Sequence, residues 1–68
     1  MQLHKDIHIS TRDRVMRAWQ NSMEAVRDYK LYANEVSDPA ISALFDRCAE
    51  TEGKQAAALH DVLQKLGD

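Results

Sequence analysis

Two long stretches of the chain repeat apolar residues at alternating intervals of three and four. This spacing places side chains on one stripe of an α-helix. The first stripe comprises Val15, Trp19, Ser22, Val26, Tyr29, Ala33 and Val36, and the second comprises Ile41, Phe45, Cys48, Glu52, Gln55, Leu59, Val62 and Leu66. The pattern predicts two helices, at about 11–36 and 39–66, whose stripes face one another.

Residues that commonly begin and end helices support these limits. Ser10 and Asp13 have the spacing of a capping box, in which each side chain accepts a hydrogen bond from the other residue's amide. Asp38 is a favourable N-cap, and Pro39 fits the first helical position because no backbone hydrogen bond is lost there. Gly67 is suited to ending the second helix.

The predicted helices are joined by a turn of about two residues, so they are expected to lie antiparallel and side by side. We therefore predict an all-α fold with an N-terminal arm at 1–10 and a single helical hairpin at 11–68. Each helix also carries a second apolar row, which one hairpin cannot cover by itself. These rows are Met16, Met23 and Tyr32 in the first helix and Leu44, Ala49, Ala56 and Leu63 in the second. We expect the hairpins to form a homo-oligomer, a dimer or a multiple of dimers, built as four-helix bundles.

Three polar residues, Ser22, Glu52 and Gln55, interrupt the apolar stripes. Antiparallel pairing about the turn is expected to bring them to one level of the hairpin. A carboxylate in an apolar stripe is costly unless it is paired or hydrogen-bonded. Three explanations are open: hydrogen bonds of this polar layer set register and oligomer state, Glu52 binds a metal, or the stripe rotates so that Glu52 reaches solvent.

Composition narrows the class of protein. Two glycines and one proline among 68 residues are too few turn-formers for a multi-stranded β fold. The net charge is -2, whereas general nucleic-acid binders are usually basic, so we do not expect a nucleic-acid partner. Cys48 is the only cysteine, which fits a reducing compartment. With no signal-peptide pattern and no apolar run of membrane-spanning length, we predict a cytoplasmic protein without a membrane partner.

Several short segments of both helices together carry a family resemblance. They are Glu24-Ala25-Val26-Arg27-Asp28-Tyr29, Tyr32-Ala33, Ser37-Asp38-Pro39, Leu44-Phe45, Ala49-Glu50-Thr51-Glu52 and the alanine-rich run to Leu63. With them, residues 15–66 resemble the ferritin-like superfamily in its short rubrerythrin-type and encapsulated-ferritin-type hairpin form. The resemblance implies a four-helix bundle assembled from hairpins, and the chemistry of that family is oxidation of Fe(II) at a di-iron site.

The resemblance also implies a position for each metal ligand of the family. The Glu of the first helix falls on Ser22, the Glu of the second helix falls on Glu52, and the His falls on Gln55. Only one of the three ligands is present, since a hydroxyl and an amide are poor iron ligands beside a carboxylate and an imidazole. Glu24 corresponds to a position that can attract metal at a subunit surface in the family. Glu52 and Glu24 are therefore the candidate metal ligands, and no catalytic residue is assigned.

Three hypotheses about function follow. The first is a ferritin-like hairpin without an intact ferroxidase centre, which acts as an oligomeric structural or interaction module and needs no cofactor. The second is an iron-binding or iron-oxidising protein whose atypical inter-subunit site uses Glu52 with Glu24 or with the arm, where His4 and His8 are four residues apart. The third is a small regulatory four-helix bundle that contacts protein or RNA through three basic residues, Arg12, Arg14 and Arg17.

Overall fold

The computed structural model describes residues 9–67, which form two helices. Helix α1 spans Thr11–Glu35 and helix α2 spans Pro39–Leu66. The two helices pack against each other as an antiparallel hairpin. The predicted all-α helical hairpin is thereby confirmed, with α1 ending one residue earlier than expected. The part of the predicted arm that contains His4 and His8 lies outside the described residues.

Local hydrogen bonds account for the start of each helix. At the start of α1, Ser10 Oγ accepts a hydrogen bond from the amide of Asp13 at 3.0 Å, and the Asp13 carboxylate accepts one from the amide of Ser10 at 3.2 Å. This is the predicted capping box. At the start of α2, Asp38 Oδ1 accepts hydrogen bonds from the amides of Ala40 and Ile41 at 2.8 and 3.2 Å. Each cap satisfies amides that have no partner within the helix.

Hydrogen bonds between the helices close both ends of the hairpin. Near the turn, Ser42 Oγ donates to the carbonyl oxygen of Ala33 at 2.7 Å. At the open end, Arg12 Nε donates to the carbonyl oxygen of Gly67 at 2.7 Å. Gly67 ends α2 with a φ of 63°, a left-handed conformation that glycine adopts without steric cost. These contacts define the antiparallel register along the whole length of the pair.

Small residues form the centre of the contact between the helices. The buried residues of the described chain are Ser22, Ala33, Ala49, Ala56 and Leu63. Four of these five side chains are small, which allows the two backbones to approach closely. The larger apolar side chains flank this line, and none of those described is fully buried. The hairpin therefore has a narrow core.

Helix α2 presents a different row to α1 from the one predicted. The buried row contains Ala49, Ala56 and Leu63, which the apolar pattern assigns to a second, uncovered row. Four members of the predicted facing row are instead exposed, namely Ile41, Gln55, Val62 and Leu66. The predicted orientation of α2 was wrong by less than one residue around the helix, because the other four members, Phe45, Cys48, Glu52 and Leu59, are half-buried. The alanines decide the orientation because their small side chains permit the closest approach of the two backbones.

Candidate functional site

The two broad sides of the hairpin differ in character, and one of them is rich in polar groups. On this side the Trp19 ring lies 5.4 Å from the His60 ring, measured between centroids. Lys30 Nζ lies 3.9 Å from Asp46 Oδ1. Gly53 belongs to the same edge of α2, because it is seven residues from both Asp46 and His60 and seven residues are about two helical turns. Met16 and Met23 belong to the same edge of α1 as Lys30, each seven residues from the next, and Met23 is exposed. We call this side the mixed face; it comprises Met16, Trp19, Met23, Lys30, Asp46, Gly53 and His60.

The other side of the hairpin is formed mainly by apolar side chains. The rings of Tyr29 and Tyr32 lie 6.1 and 5.4 Å from the Phe45 ring. Leu44 and Cys48 line a shallow groove together with Tyr29. Residues spaced by three and four continue this surface along both helices. We call it the apolar face; its members are Ala18, Ala25, Tyr29 and Tyr32 on α1 and Ile41, Leu44, Cys48, Leu59, Val62 and Leu66 on α2.

Much of the apolar face is open to solvent. Five of its large side chains are between 42% and 48% exposed, namely Tyr32, Ile41, Leu44, Val62 and Leu66. Single exposed apolar side chains are common on protein surfaces and need no explanation. A row that runs along a helix of 28 residues, interrupted only in its middle, is different, because an apolar surface of this extent is typical of a site that binds another protein or a ligand. The apolar face is therefore the candidate functional site.

The three residues of the predicted polar layer lie in different surroundings. Ser22 is buried between the helices. Glu52 is half-buried and lines the shallow groove of the apolar face, together with Tyr29 and Arg47. Gln55 is exposed, and it lies one helical turn from Glu52 on the same face. Glu52 and Gln55 are thus the two polar residues in the middle of the apolar row of α2.

The two candidate metal ligands do not form a metal site with other described residues. Glu24 is exposed on α1, and Glu52 is half-buried on α2. Among residues 9–67, no three His, Cys, Asp or Glu side chains are grouped so that they could hold a metal ion. A metal at Glu52 or Glu24 would therefore need ligands from outside residues 9–67 of the same chain.

Charge is divided between the two ends of the hairpin. The half next to the turn, residues 24–52, contains three basic and seven acidic side chains, a net charge of -4. The open half, residues 9–23 and 53–67, contains five basic and two acidic side chains, a net charge of +3. Arg14 and Arg17 of the open half line a second shallow groove, along α1. The hairpin therefore has a negative end and a positive end.

Sequence reasoning found most of the apolar residues but not the groove beside Glu52. The groove exists because Leu44 and Cys48 lie on one edge of α2 and Tyr29 lies on the facing edge of α1. The only signal for it in the sequence is that Leu44 begins an apolar row next to the predicted stripe. The position of Leu44 indicates the groove only once the orientation of α2 about its axis is known.

Comparison with known proteins identifies no relative of this chain. No protein-family model matches the chain, and neither does any curated protein or solved structure. A two-helix hairpin occurs in many unrelated proteins, so the fold does not assign the chain to a family. Neither α1 nor α2 contains a segment whose length and hydropathy would let it cross a bilayer.

Proposed function

We propose that the protein is a self-associating helical hairpin. Two copies pack their apolar faces together into a four-helix bundle, and the bundle acts as a structural or interaction module. The observation that carries this proposal is the row of half-exposed apolar side chains along α2. The bundle would resemble that of ferritin-like proteins while lacking two of the three iron ligands per hairpin, at Ser22 and Gln55.

The narrow core of the hairpin supports the need for a partner. Below about 70–80 residues a single hydrophobic core rarely supplies more than about 3–5 kcal/mol, and small proteins commonly add stability by oligomerisation. Leu44 illustrates the gain, because 48% of its surface is still exposed. Full burial of a leucine side chain contributes about 1.5–3 kcal/mol, so covering the remaining half contributes about 1 kcal/mol. Every large side chain of the apolar face adds a similar increment.

A second copy is the partner that fits this surface best. Two-fold symmetric dimers are the commonest oligomers, and each partner then presents the same apolar face. The charges of the hairpin agree with such a partner, because its +3 half is complementary to the -4 half of another copy. A protein of uniform charge would match only one end of the hairpin.

Sedimentation equilibrium of a matched pair of variants tests the proposal. Leu44→Glu removes about 1 kcal/mol of burial from each of two copies and adds the cost of a buried carboxylate. The dissociation constant of the dimer should therefore rise by at least about 30-fold, the equivalent of about 2 kcal/mol. Ala43→Glu is the control, because the adjacent Ala43 is exposed and lies outside the apolar face. It adds the same charge to the same helical turn and should leave the dimer intact.

The wild-type protein should sediment as a dimer at micromolar concentration, and its melting temperature should rise with protein concentration. A wild-type monomer that melts cooperatively at a temperature independent of concentration would refute the proposal. Equal weakening of the dimer by both glutamate variants would show that the apolar face is not the interface.

A further inference from the structure

We infer that the second copy packs with its turn over the open end of the first, and that Glu52 of each copy accepts a hydrogen bond from Gln55 of the other. This inference rests on the proposed self-association and adds to it the orientation of the two copies and their register. It is carried by the charge distribution of the hairpin and by a symmetry in the spacing of its apolar face.

Two hairpins can meet face to face about a two-fold axis in two ways. An axis parallel to the helices leaves both turns at the same end and stacks α1 of one copy on α2 of the other. An axis across the helices puts the turns at opposite ends. It stacks α1 on α1 of the other copy and α2 on α2 of the other copy. All neighbouring helices are antiparallel in both arrangements, so helix dipoles do not distinguish them.

The charges of the two ends do distinguish these arrangements. If both turns lay at the same end, the -4 halves would face one another and so would the +3 halves. If the turns lie at opposite ends, each positive half faces the negative half of the other copy. Like charges placed across an interface oppose association, and complementary charges favour it. The charge distribution therefore favours the opposite-end arrangement.

The row of the apolar face on α2 has nearly the same spacing when it is read from either end. Residues at equal distances from a point between Gly53 and Lys54 form matched pairs, to within one residue. The pairs are Ile41 with Leu66, Leu44 with Val62, Cys48 with Leu59, and Glu52 with Gln55. A two-fold interface between antiparallel copies of one helix requires such pairs, because when residue i meets residue j, residue j also meets residue i. The row is also symmetric about a point between Thr51 and Glu52, but an axis there would place the two Glu52 carboxylates against each other. The axis is therefore assigned between Gly53 and Lys54, where each Glu52 meets a Gln55.

The same side of α1 also contains the polar residues Arg14 and Asn21, which line a groove with Ala18. With them, residues matched about Met23 are Asn21 with Ala25, Ala18 with Tyr29, and Arg14 with Tyr32, again to within one residue. In the opposite-end arrangement each helix packs on its own equivalent, so the axis must also cross α1. These pairs put the crossing at the level of Met23, whose side chain itself belongs to the mixed face.

A single axis must cross both helices at the same level of the hairpin. Trp19 contacts His60 on one side of Met23, and Tyr29 contacts Phe45 on the other side. Interpolation between these two contacts places Met23 level with the crossing point of α2. The same interpolation aligns Ala25 with the alternative crossing point of α2 beside Glu52, so the packing is consistent with one shared axis and the pairing of Glu52 decides its position.

This arrangement provides a partner for the only carboxylate in the middle of the apolar face. Glu52 is half-buried, and burial by a second copy would remove more water from its carboxylate. Such a group needs a hydrogen-bond donor if the dimer is to form. The side-chain amide of Gln55 in the second copy supplies one, and symmetry repeats the bond. A polar pair within an apolar interface fixes its register, because a shifted pairing leaves the carboxylate without a partner.

A distance between spin labels in the dimer tests the orientation. Ser37 is exposed in the turn, and Ser37→Cys with Cys48→Ala provides one labelling site per chain. In the opposite-end arrangement the two labels are separated by about the length of the helices, roughly 40 Å. In the same-end arrangement they lie within about 20 Å, the width of two packed helices. A short distance would overturn this inference and leave the self-association standing. Because Cys48 belongs to the apolar face, the unlabelled wild type is sedimented in parallel at the same concentration, and a wild-type monomer there would overturn both.

A mixing experiment tests the pairing of Glu52 with Gln55. The variant Glu52→Gln presents two amides to its partner, and the variant Gln55→Glu presents two carboxylates. A dimer of one copy of each contains two amide–carboxylate pairs, whereas each homodimer contains none. Native mass spectrometry of an equimolar mixture, with one variant labelled with ¹⁵N, should find more than about four-fifths heterodimer instead of the statistical half. The double variant Glu52→Gln with Gln55→Glu restores the pairs and should dimerise within about threefold of wild type. A statistical mixture, or a double variant no tighter than Gln55→Glu, would overturn the pairing.

Discussion

Gly53 lies in the middle of α2, and we expect its replacement by alanine to stabilise the protein. It is 14 residues from Pro39 and 13 from Leu66, which are the ends of the helix. An added Cβ would meet no atom within 4 Å. Gly53 also lies on the mixed face, so pairing through the apolar face leaves that space open. The substitution therefore changes the backbone without disturbing any contact.

The magnitude follows from the flexibility of glycine in the unfolded chain. Glycine in a helix interior is about 0.5–1 kcal/mol less favourable than alanine, because it loses more conformational freedom on folding. Nothing packs against Gly53 to offset this difference, so Gly53→Ala should contribute the full amount in each chain. For a protein of this size, about 1 kcal/mol per chain corresponds to a rise in melting temperature of about 4–8 °C.

Thermal unfolding followed by circular dichroism, at one fixed chain concentration, measures this effect. Gly67→Ala is a matched control, because it makes the same chemical change at the end of the same helix. Gly67 has a φ of 63°, a left-handed conformation in which alanine is strained. Gly67→Ala should therefore lower the melting temperature, although its Cβ would also meet nothing within 4 Å. The two substitutions should have opposite signs.

A Gly53→Ala variant that melts at a lower temperature, or that dimerises more weakly than wild type, would refute this reasoning. Either result would mean that another chain approaches the backbone at Gly53. The second copy would then cover the mixed face, and the proposed interface through the apolar face would be wrong. An unchanged melting temperature would show that the gain in backbone entropy is cancelled by a contact outside the single hairpin.

Three further substitutions test the packing and the ends of the hairpin. Ala56→Leu should destabilise the protein by about 1–3 kcal/mol, because Ala56 is buried where the helices approach most closely, whereas Ala57→Leu at the exposed neighbour should be nearly neutral in chemical denaturation. Ser42→Ala removes the hydrogen bond to the carbonyl of α1 near the turn and should cost about 1 kcal/mol, with Ser37→Ala in the exposed turn as the control. Asp38→Ala removes the cap of α2 and should lower the melting temperature by an amount equivalent to about 1 kcal/mol. No loss of stability in Ala56→Leu, Ser42→Ala or Asp38→Ala would contradict the contact assigned to that residue.

The limits of both helices could be predicted from residues that act over a few positions. The capping box of Ser10 and Asp13 depends only on a spacing of three, and the structure contains both of its hydrogen bonds. Asp38 followed by Pro39 likewise begins α2, and Gly67 ends it. Such signals are reliable because the donor and the acceptor are close in sequence, so their hydrogen bond does not depend on how the helices pack.

The orientation of the helices about their own axes could not be predicted in the same way. The alternation of three and four locates an apolar stripe, yet α2 carries a second apolar row beside it. Packing selected the row of Ala49 and Ala56, and it left Ile41 and Val62 exposed. The choice depends on how closely two backbones can approach, and this is a property of both surfaces together.

The same distinction applies to the candidate functional site. The sequence by itself determined that Glu52 and Gln55 interrupt an apolar row and that each hairpin has more apolar surface than it can bury. Only the tertiary structure decided that Ser22 is buried between the helices while Gln55 is exposed on the apolar face. Helical periodicity and capping are local, so they can be read along the chain. The surroundings of a side chain depend on the rotation of one helix against another, and a rotation of a single residue moves that side chain by about 100° around the helix.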